Sequence, residues 1–467
     1  MPSDQKIQPT HPRILLLVVL LGVFAFALLQ SLINPVLPVL QRDLGTTQGS
    51  ITWVMTAFLL SASVLTPVLG RLGDRYGKDR VLVASLTALA VGSVISALAP
   101  NIAVMVVGRA VQGAGGGVLP LTFGIIRDEM PRERVPGAIG ITAALAAVGG
   151  GVGVVLSGPL TDLFGTRSLF WLPLLLAIAA ALAVHLVVPP SPARSDTGIS
   201  WLSVALMAAW LVALLLPLSQ GPRWGWSSNL VIGMLAAAAL LAVGWTLIER
   251  RSTSPLVDIR MMRVTAVWTT NLVSLLFGVV LFSVMAFLPT FVQTPPAAGY
   301  GFGVSVTQAG LLLLPMTALM FVAGLVSARL VRRLGPRVVL VAASALNVAA
   351  VAAIAFQHDR QWHVPVAMGL LGISLGLAFA TMSNVIAAAV RPDQTGVANG
   401  VTANVRTIGG ALGIAVVGGT VSTHTPPGGL PTEVGYTLGF AVLGIAGTVA
   451  LLTSLLIPRH PGHTSHP

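Results

Sequence analysis

Gly70 to Arg80 reads GRLGDRYGKDR. Six charges stand in eleven residues, between an apolar run at 51–70 and another at 81–99. A second stretch, Ala328 to Val338, reads ARLVRRLGPRV and is framed by apolar runs at 305–328 and 338–356. Arg71, Leu72, Arg75 and Gly77 recur there as Arg329, Leu330, Arg333 and Gly335, at an offset of 258. Apolar runs of about 20 residues joined by short basic connectors are the pattern of membrane-spanning helices, whose inner loops collect Lys and Arg. The recurrence of connector and frame points to a duplicated unit.

The same pattern fills the chain. Of its 467 residues 55% are hydrophobic and 9% are charged, and the mean hydropathy is +0.89. A soluble protein carries about 25% charged residues. So few charges cannot clothe a water-soluble fold, which excludes a soluble enzyme, a nucleic-acid-binding domain and a disordered chain. The absence of cysteine excludes disulfides and thiolate chemistry. The net charge of +12 is spread over short connectors between apolar runs, so no nucleic-acid partner is implied. Basic residues that are almost all Arg, with abundant Ala, Gly and Val, point to a bacterial source.

Fourteen spans are expected, at 14–34, 51–70, 81–99, 103–126, 136–156, 169–188, 200–218, 229–248, 267–291, 305–328, 338–356, 364–388, 400–421 and 435–457. With both ends inside, 20 of the 26 basic residues fall in inner segments and only Arg42, Arg167, Arg223 and Arg360 fall outside. A missed span would invert every later loop, so the count and the cytoplasmic ends support each other. The run from Ile14 has no small-residue cleavage site after it and reads as a retained first span.

Spans 5 and 13 repeat one another at an offset of 260, with Gly140, Thr142, Ala143, Gly149, Gly150 and Gly153 matching Gly400, Thr402, Ala403, Gly409, Gly410 and Gly413. Two matches at nearly one offset imply two six-helix pseudo-repeats, spans 1–6 and 9–14, with an inserted helix pair between them. The expected organisation is a cytoplasmic tail at 1–13, an N-terminal six-helix bundle at 14–188 and a cytoplasmic linker at 189–199. The inserted pair follows at 200–248, with a second cytoplasmic linker at 249–266. A C-terminal six-helix bundle at 267–457 and a tail at 458–467 complete the chain. Parallel repeats with a site at their interface form a transporter architecture.

Several side chains break the apolar pattern. In the 70–80 connector, Gly70 and Gly77 allow a tight turn. Asp74 can face a helix N-terminus or pair with a loop arginine, and Arg75 and Arg80 add positive charge. Arg109 lies inside span 4 with Gln112 one turn away, and Arg406 lies inside span 13 with Asn404 near it and Asn384 in span 12. A cation inside a span is costly unless paired or hydrated, and so marks a functional site or a brace. Arg406 can line a pathway or snorkel to a nearby surface. Gln30, Ser31 and Asn34 give a polar stripe in span 1, which can line a cavity or bond neighbouring helices. In span 5, Gly149 and Gly153 form a small-residue ridge for close packing, followed by Gly158 and Pro159. All fourteen acids fall in connectors or near span ends, and His358 and His363 lie in one short outer loop without a thiolate, a poor metal site.

The GRLGDRYGKDR connector resembles the signature loop of the major facilitator superfamily, and GRAVQGAGGG, Gly108–Gly117, resembles its span 4 arginine motif. LSQGPRWGWSS at Leu218–Ser228 and ERRSTSPLVDIRMMR after span 8 resemble the fourteen-helix drug:proton antiporters, multidrug efflux transporters. Span 5 resembles the antiporter motif but carries Val154 and Ser157 where proline and glycine are usual. LLQSLINPVLP, Leu28–Pro38, resembles the first-span motif with Gln30 in place of its aspartate.

The resemblance implies an all-α integral membrane protein with the major-facilitator fold. It would export hydrophobic small molecules, such as drugs or antibiotics, by proton antiport and alternating access. Gln30, Asn34, Arg109, Gln112, Asn384 and Arg406 would serve the substrate or proton pathway. Gly70, Asp74, Arg75, Gly77 and Arg80 would form a cytoplasmic gate. The expected partners are the lipid bilayer, the substrate and protons, in the bacterial inner membrane, with the chain acting as a monomer. A facilitator or proton symporter for a small solute, or a non-transporting sensor, are the alternatives. No HExxH or nucleotide-binding motif occurs, so neither an enzyme, a metal nor a cofactor is expected. Without a mid-span acid, and with Arg109 and Arg406 inside spans, neutral or anionic compounds should be preferred to permanent cations. Asp162 is one candidate proton carrier, and a titrating group on the substrate is another.

Overall fold

Each apolar run of the sequence forms one helix. A computed structural model describes residues 12–131, 133–191, 200–252, 255–391, 394–426 and 430–458. Among these, fourteen helices are long and apolar enough to cross a membrane, and no strand occurs. They are α1 (Pro12–Leu32), α2 (Trp53–Tyr76), α3 (Lys78–Ala97), α4 (Ile102–Glu129), α5 (Val135–Phe164), α6 (Ser168–Val187) and α7 (Trp201–Trp224). Then follow α8 (Asn229–Arg251), α9 (Thr265–Gln293), α10 (Val306–Leu334), α11 (Pro336–Phe356), α12 (His363–Ala389), α13 (Thr395–Thr423) and α14 (Glu433–Ser454). Most of the two expected tails, most of the 189–199 linker, and Lys6, Arg132, Arg194 and Arg459 lie outside the described residues.

The 70–80 connector corrects the loop reading. Helix α2 runs on to Tyr76, so Arg71, Asp74 and Arg75 sit on its last turns. Only Gly77 makes the turn, at φ 103°, and α3 begins at the next residue. The second connector repeats this, with Gly335 at φ 82° between α10 and α11. A positive φ at both sites favours glycine, so the shared glycine of the two connectors has a backbone cause. Gly70 serves close approach instead, since a Cβ there would lie 3.7 Å from Val397 of α13.

Two cores divide the bundle. One is built mainly from α1–α6, with Phe26, Phe58, Leu86 and Phe170 fully or nearly buried. The other is built mainly from α9–α14, with Phe277, Phe291, Tyr436 and Phe440. Between them α5 and α10 run antiparallel in contact, from Gly140 beside Gly324, through Gly151 beside Thr317, to Gly158 beside Thr307. Small residues allow this approach, and a Cβ on Gly151 would lie 1.6 Å from Thr317. Gly149 and Gly153 face the other way. Gly149 lies against Ala27 and Phe24 of α1, and Gly153 against Ser31 and Leu28.

Helices α7 and α8 are fastened at both ends. Thr56 of α2 and Ser219 of α7 share a 2.6 Å hydrogen bond, and Gln220 donates to Thr52 at 3.3 Å. Near the other end of α8, Glu249 is 2% exposed. It accepts from the Ser203 hydroxyl and from the Leu256 backbone N–H at 3.0 Å, while Trp245 donates to Ser203 at 3.0 Å. This pins the segment after α8 into an apolar cluster of Met207, Leu211, Leu256, Val257 and Met261 with Val68 of α2, Ile386 of α12 and Val397 of α13. The pair therefore leans on both halves of the bundle. Glu249→Gln keeps the volume but puts an amide against donors that need an acceptor, at a cost of about 1–3 kcal/mol. The expected result is normal insertion with a lowered thermal midpoint, read by size-exclusion chromatography after heating.

Candidate functional site

At the end of the bundle that holds the basic connectors, two acids and one lysine are buried together. Lys78 Nζ lies 2.5 Å from Asp128 of α4 and 3.8 Å from Asp74, and all three side chains are under 10% exposed. Gly124 makes room for the lysine stem, because a Cβ there would lie 2.7 Å from Lys78 Cδ. Asp74 follows one turn after Gly70, which touches Val397 in the first turn of α13. Sequence reasoning offered Asp74 a helix N-terminus or a loop arginine, and the structure adds Lys78 beside it. Arg75 stacks on Tyr76 at 5.2 Å and Arg80 is exposed, so neither belongs to this cluster in the structure. Asp79 instead accepts from the Ser191 N–H at 2.9 Å.

The halves are bolted together beside this cluster. Arg127, near the end of α4, donates to Ala387 O at 2.8 Å, to Val390 O at 3.5 Å and to the Thr395 hydroxyl. A cation on the last carbonyls of α12 also suits that helix's negative end. Asn384 donates to Pro136 O of α5 at 3.4 Å, which places it at this seam. Asn404 of α13 donates to Ser63 O of α2 at 2.5 Å. Gly396 and Gly400 lie against Pro120 of α4. These contacts of α13 with α2 and α4 fall between Thr395 and Asn404, in the half of α13 nearest the basic connectors.

Arg109 is 0% exposed. Its Nε donates to Val54 O at 3.1 Å, one terminal nitrogen donates to Gln112 Oε1 at 2.8 Å, and the other faces Met55 Sδ at 3.8 Å. Its guanidinium lies 4.4 Å from the Phe58 ring centre. Gln112 in turn donates to Ser93 of α3 at 3.0 Å. The sequence Gly113–Gly117 then forms a 3-10 turn inside α4, where a Cβ on Gly113 would lie 1.8 Å from Ser61 and one on Gly115 would lie 2.6 Å from Phe26. Arg109 and Gln112 thus tie α2, α3 and α4 together where α4 is most closely approached.

Arg406 differs. It is half-buried and stacks on Phe379 of α12 at 4.4 Å. Phe277 of α9 supports that ring edge-on, at 6.3 Å between centroids. The α13 backbone is seated on α9 here, since a Cβ on Gly278 would lie 2.1 Å from Arg406 O.

The first-span stripe is broken up. Helix α1 ends at Leu32, and Asn34 begins a 3-10 turn with Pro35, which lacks the N–H that would continue the helix. Ser31 is buried and bonds to Ala27 O and Leu28 O, both at 3.1 Å, and to Gly149 O at 3.4 Å. Gln30 is half-buried on another face. At the far end of the bundle, His358 meets an acid from another helix: Glu433 of α14 stands 2.9 Å from its Nε2. Asp162 is exposed.

The major facilitator superfamily model matches residues 19–414. The chain belongs to this superfamily. It is 28% identical over 412 residues to the tetracenomycin C resistance and export protein of Streptomyces glaucescens, covering 86% of this chain and 74% of that protein. It is 28% identical over 447 residues to the methylenomycin A resistance protein of Streptomyces coelicolor, covering 93% and 90%. It covers only 60% of an uncharacterized MFS-type transporter of Mycobacterium tuberculosis, 27% identical over 421 residues. Among solved structures, the human organic anion transporter MFSD10 superposes with a TM-score of 0.71 at 18% identity, covering 95% of this chain and 99% of that one. The proton:xylose symporter XylE superposes at 0.68 and 12%, with 96% of each chain covered. These last two likenesses concern the fold. The superfamily member is a multi-pass membrane transporter rather than an enzyme, and its relatives include antibiotic resistance and export proteins.

Proposed function

We propose that the protein exports hydrophobic small molecules across a bacterial inner membrane in exchange for protons. The observation that carries this reading is its likeness to resistance and export proteins over most of its length, on a fold with two separate helical cores. Parallel repeats that rock about a central site give alternating access. The Arg127 contacts and the Asp74–Lys78–Asp128 cluster act as the gate at one end, and α5 against α10 gives a small-residue surface on which the halves slide. The excess of basic connectors supports a cytoplasmic side for the gated end and both termini. Arg109 and Gln112 hold the N-terminal half in register, while Gln30 and Arg406 face the pathway. The chain acts as a monomer.

Exchange predicts a countermovement of protons. In reconstituted vesicles carrying an internal pH dye, an outwardly directed substrate gradient should drive protons inward at neutral external pH. Substrate movement with no pH change would leave a facilitator, the alternative reading.

A further inference from the structure

The buried ionic groups of this protein are nearly all matched. Lys78 has Asp74 and Asp128, Glu249 has Ser203 and Leu256, and His358 has Glu433. Arg109 is enclosed, with its donors directed at Val54, Gln112 and Met55. Arg406, the other cation inside a described span, differs. Its guanidinium has the Phe379 ring on one face, and no described acid or carbonyl accepts from its N–H groups.

Arg406 lies close to the middle of its helix. It stands 11 residues from the start of α13 at Thr395 and 17 from its end at Thr423. At 1.5 Å per residue that is roughly 16 Å from the nearer end. Inside a span an unpaired cation costs several kcal/mol and is retained for a function. Arg406 also lies near the seam between the halves. Asn404, two residues before it, bonds across to Ser63 of the N-terminal half. Phe379 is 7% exposed and is itself held by Phe277, so the shelf beneath the guanidinium is fixed.

We propose that Arg406, stacked on Phe379, binds the anionic group of the transported substrate, so that the substrate class is an apolar molecule bearing one delocalised anion such as a carboxylate, phenolate or sulfonate. The planar guanidinium offers paired N–H donors that match two oxygens of such a group, and Phe379 orients the fork. In a low-dielectric span the ion pair offsets the desolvation of both partners, whereas a permanent cation would meet like charge without any mid-span carboxylate to balance it. Arg109 does not serve, because it is 0% exposed. The proposal rests on the export reading for the existence of a substrate, but binding can be measured without reference to direction or energy source.

Three probes with one aromatic body separate charge from shape: 9-anthroate, 9-anthracenemethanol and (9-anthrylmethyl)trimethylammonium. Their binding to the purified full-length protein in lipid nanodiscs is followed by fluorescence, against empty nanodiscs. The expected result is that 9-anthroate binds at least tenfold more tightly than the alcohol, and the ammonium more weakly than both. Arg406→Gln should erase the preference for the carboxylate, Arg406→Lys should keep part of it, and both should elute as the parent does. If the wild type binds all three alike, or does not bind 9-anthroate, the proposal is overturned, whether or not the variants fold. Retention of the full preference in Arg406→Gln overturns it too. Proton-driven export of a neutral compound without charge selectivity would spare the export reading and reject this one, and 9-anthroate binding without transport would do the reverse.

Discussion

Arg109→Ala is expected to bring transport below a tenth of the wild-type rate while leaving the protein in the membrane. Span 4 becomes more apolar, so insertion does not suffer. The loss is internal. Val54 O and Gln112 Oε1 lose their donor, Phe58 loses the cation on its face, and a cavity opens at the junction of α2, α3 and α4. A buried acceptor left without a partner costs about 1–3 kcal/mol, and a large-to-small change in a closed core adds a cavity term. Arg109→Lys should rescue little, because a single ammonium cannot reach Val54 and Gln112 and also cover the ring. The measurement is efflux from vesicles, normalised to inserted protein. Full activity in Arg109→Ala would mean that its bonds hold nothing that transport needs.

The second large effect belongs to the gate. Arg127→Gln removes the charge that spans Ala387, Val390 and Thr395, and so weakens the closure of α4 against α12 and α13. Hydrogen bonds from a charged group contribute about 1.5–3 kcal/mol, a factor of roughly 10–100 in the equilibrium between closed and open ends. The chain has no cysteine, so one introduced at Gly400 is the sole target of a maleimide. A Cβ there lies in ordinary contact, 3.6 Å from Pro120, and Gly400→Cys is expected to be shielded in the parent. With Arg127→Gln, its labelling by an impermeant maleimide from the basic end should quicken at least tenfold, with a strong loss of transport. Asp74→Asn should shift labelling in the same direction, since it removes charge from the Lys78 cluster. Unchanged labelling in both variants would show that these contacts do not govern opening.

The spans were legible because each is a long apolar run with charges at its limits, a property that every residue in the run reports. The turn at Gly77 was legible only in part. Its glycine was visible, but helical propensity does not show that α2 would carry Arg71, Asp74 and Arg75 on its last turns before stopping. Arg109 and Arg406 stood out as cations in apolar surroundings, yet their environments were not readable. One is enclosed by backbone, a glutamine and a ring, and the other has a ring alone. The stripe of Gln30, Ser31 and Asn34 assumed an unbroken helix, and Pro35 breaks it. Arg127, Lys78 and Glu249 were missed as functional residues for one shared reason. Each has a side-chain or backbone partner on another helix, Arg127 with Ala387 260 residues away, Lys78 with Asp128 50 away and Glu249 with Ser203 46 away, and no local spacing encodes those pairings. A basic residue directly at a helix end was the available hint for Arg127, and an acid at the end of an apolar helix was the hint for Glu249. The His358–Glu433 pair was hidden in the same way.

Proton-driven export is tested most directly in inside-out vesicles whose lumen is acidified by ATP-driven proton pumping. 9-Anthroate is a useful probe there, because a weak acid left to itself is excluded from an acidic lumen. Vesicles with the protein are expected to accumulate it in the lumen, against that passive distribution, and to release it when a protonophore is added, while vesicles without the protein do neither. Accumulation that survives the protonophore, or vesicles that behave alike with and without the protein for both 9-anthroate and 9-anthracenemethanol, would contradict the account.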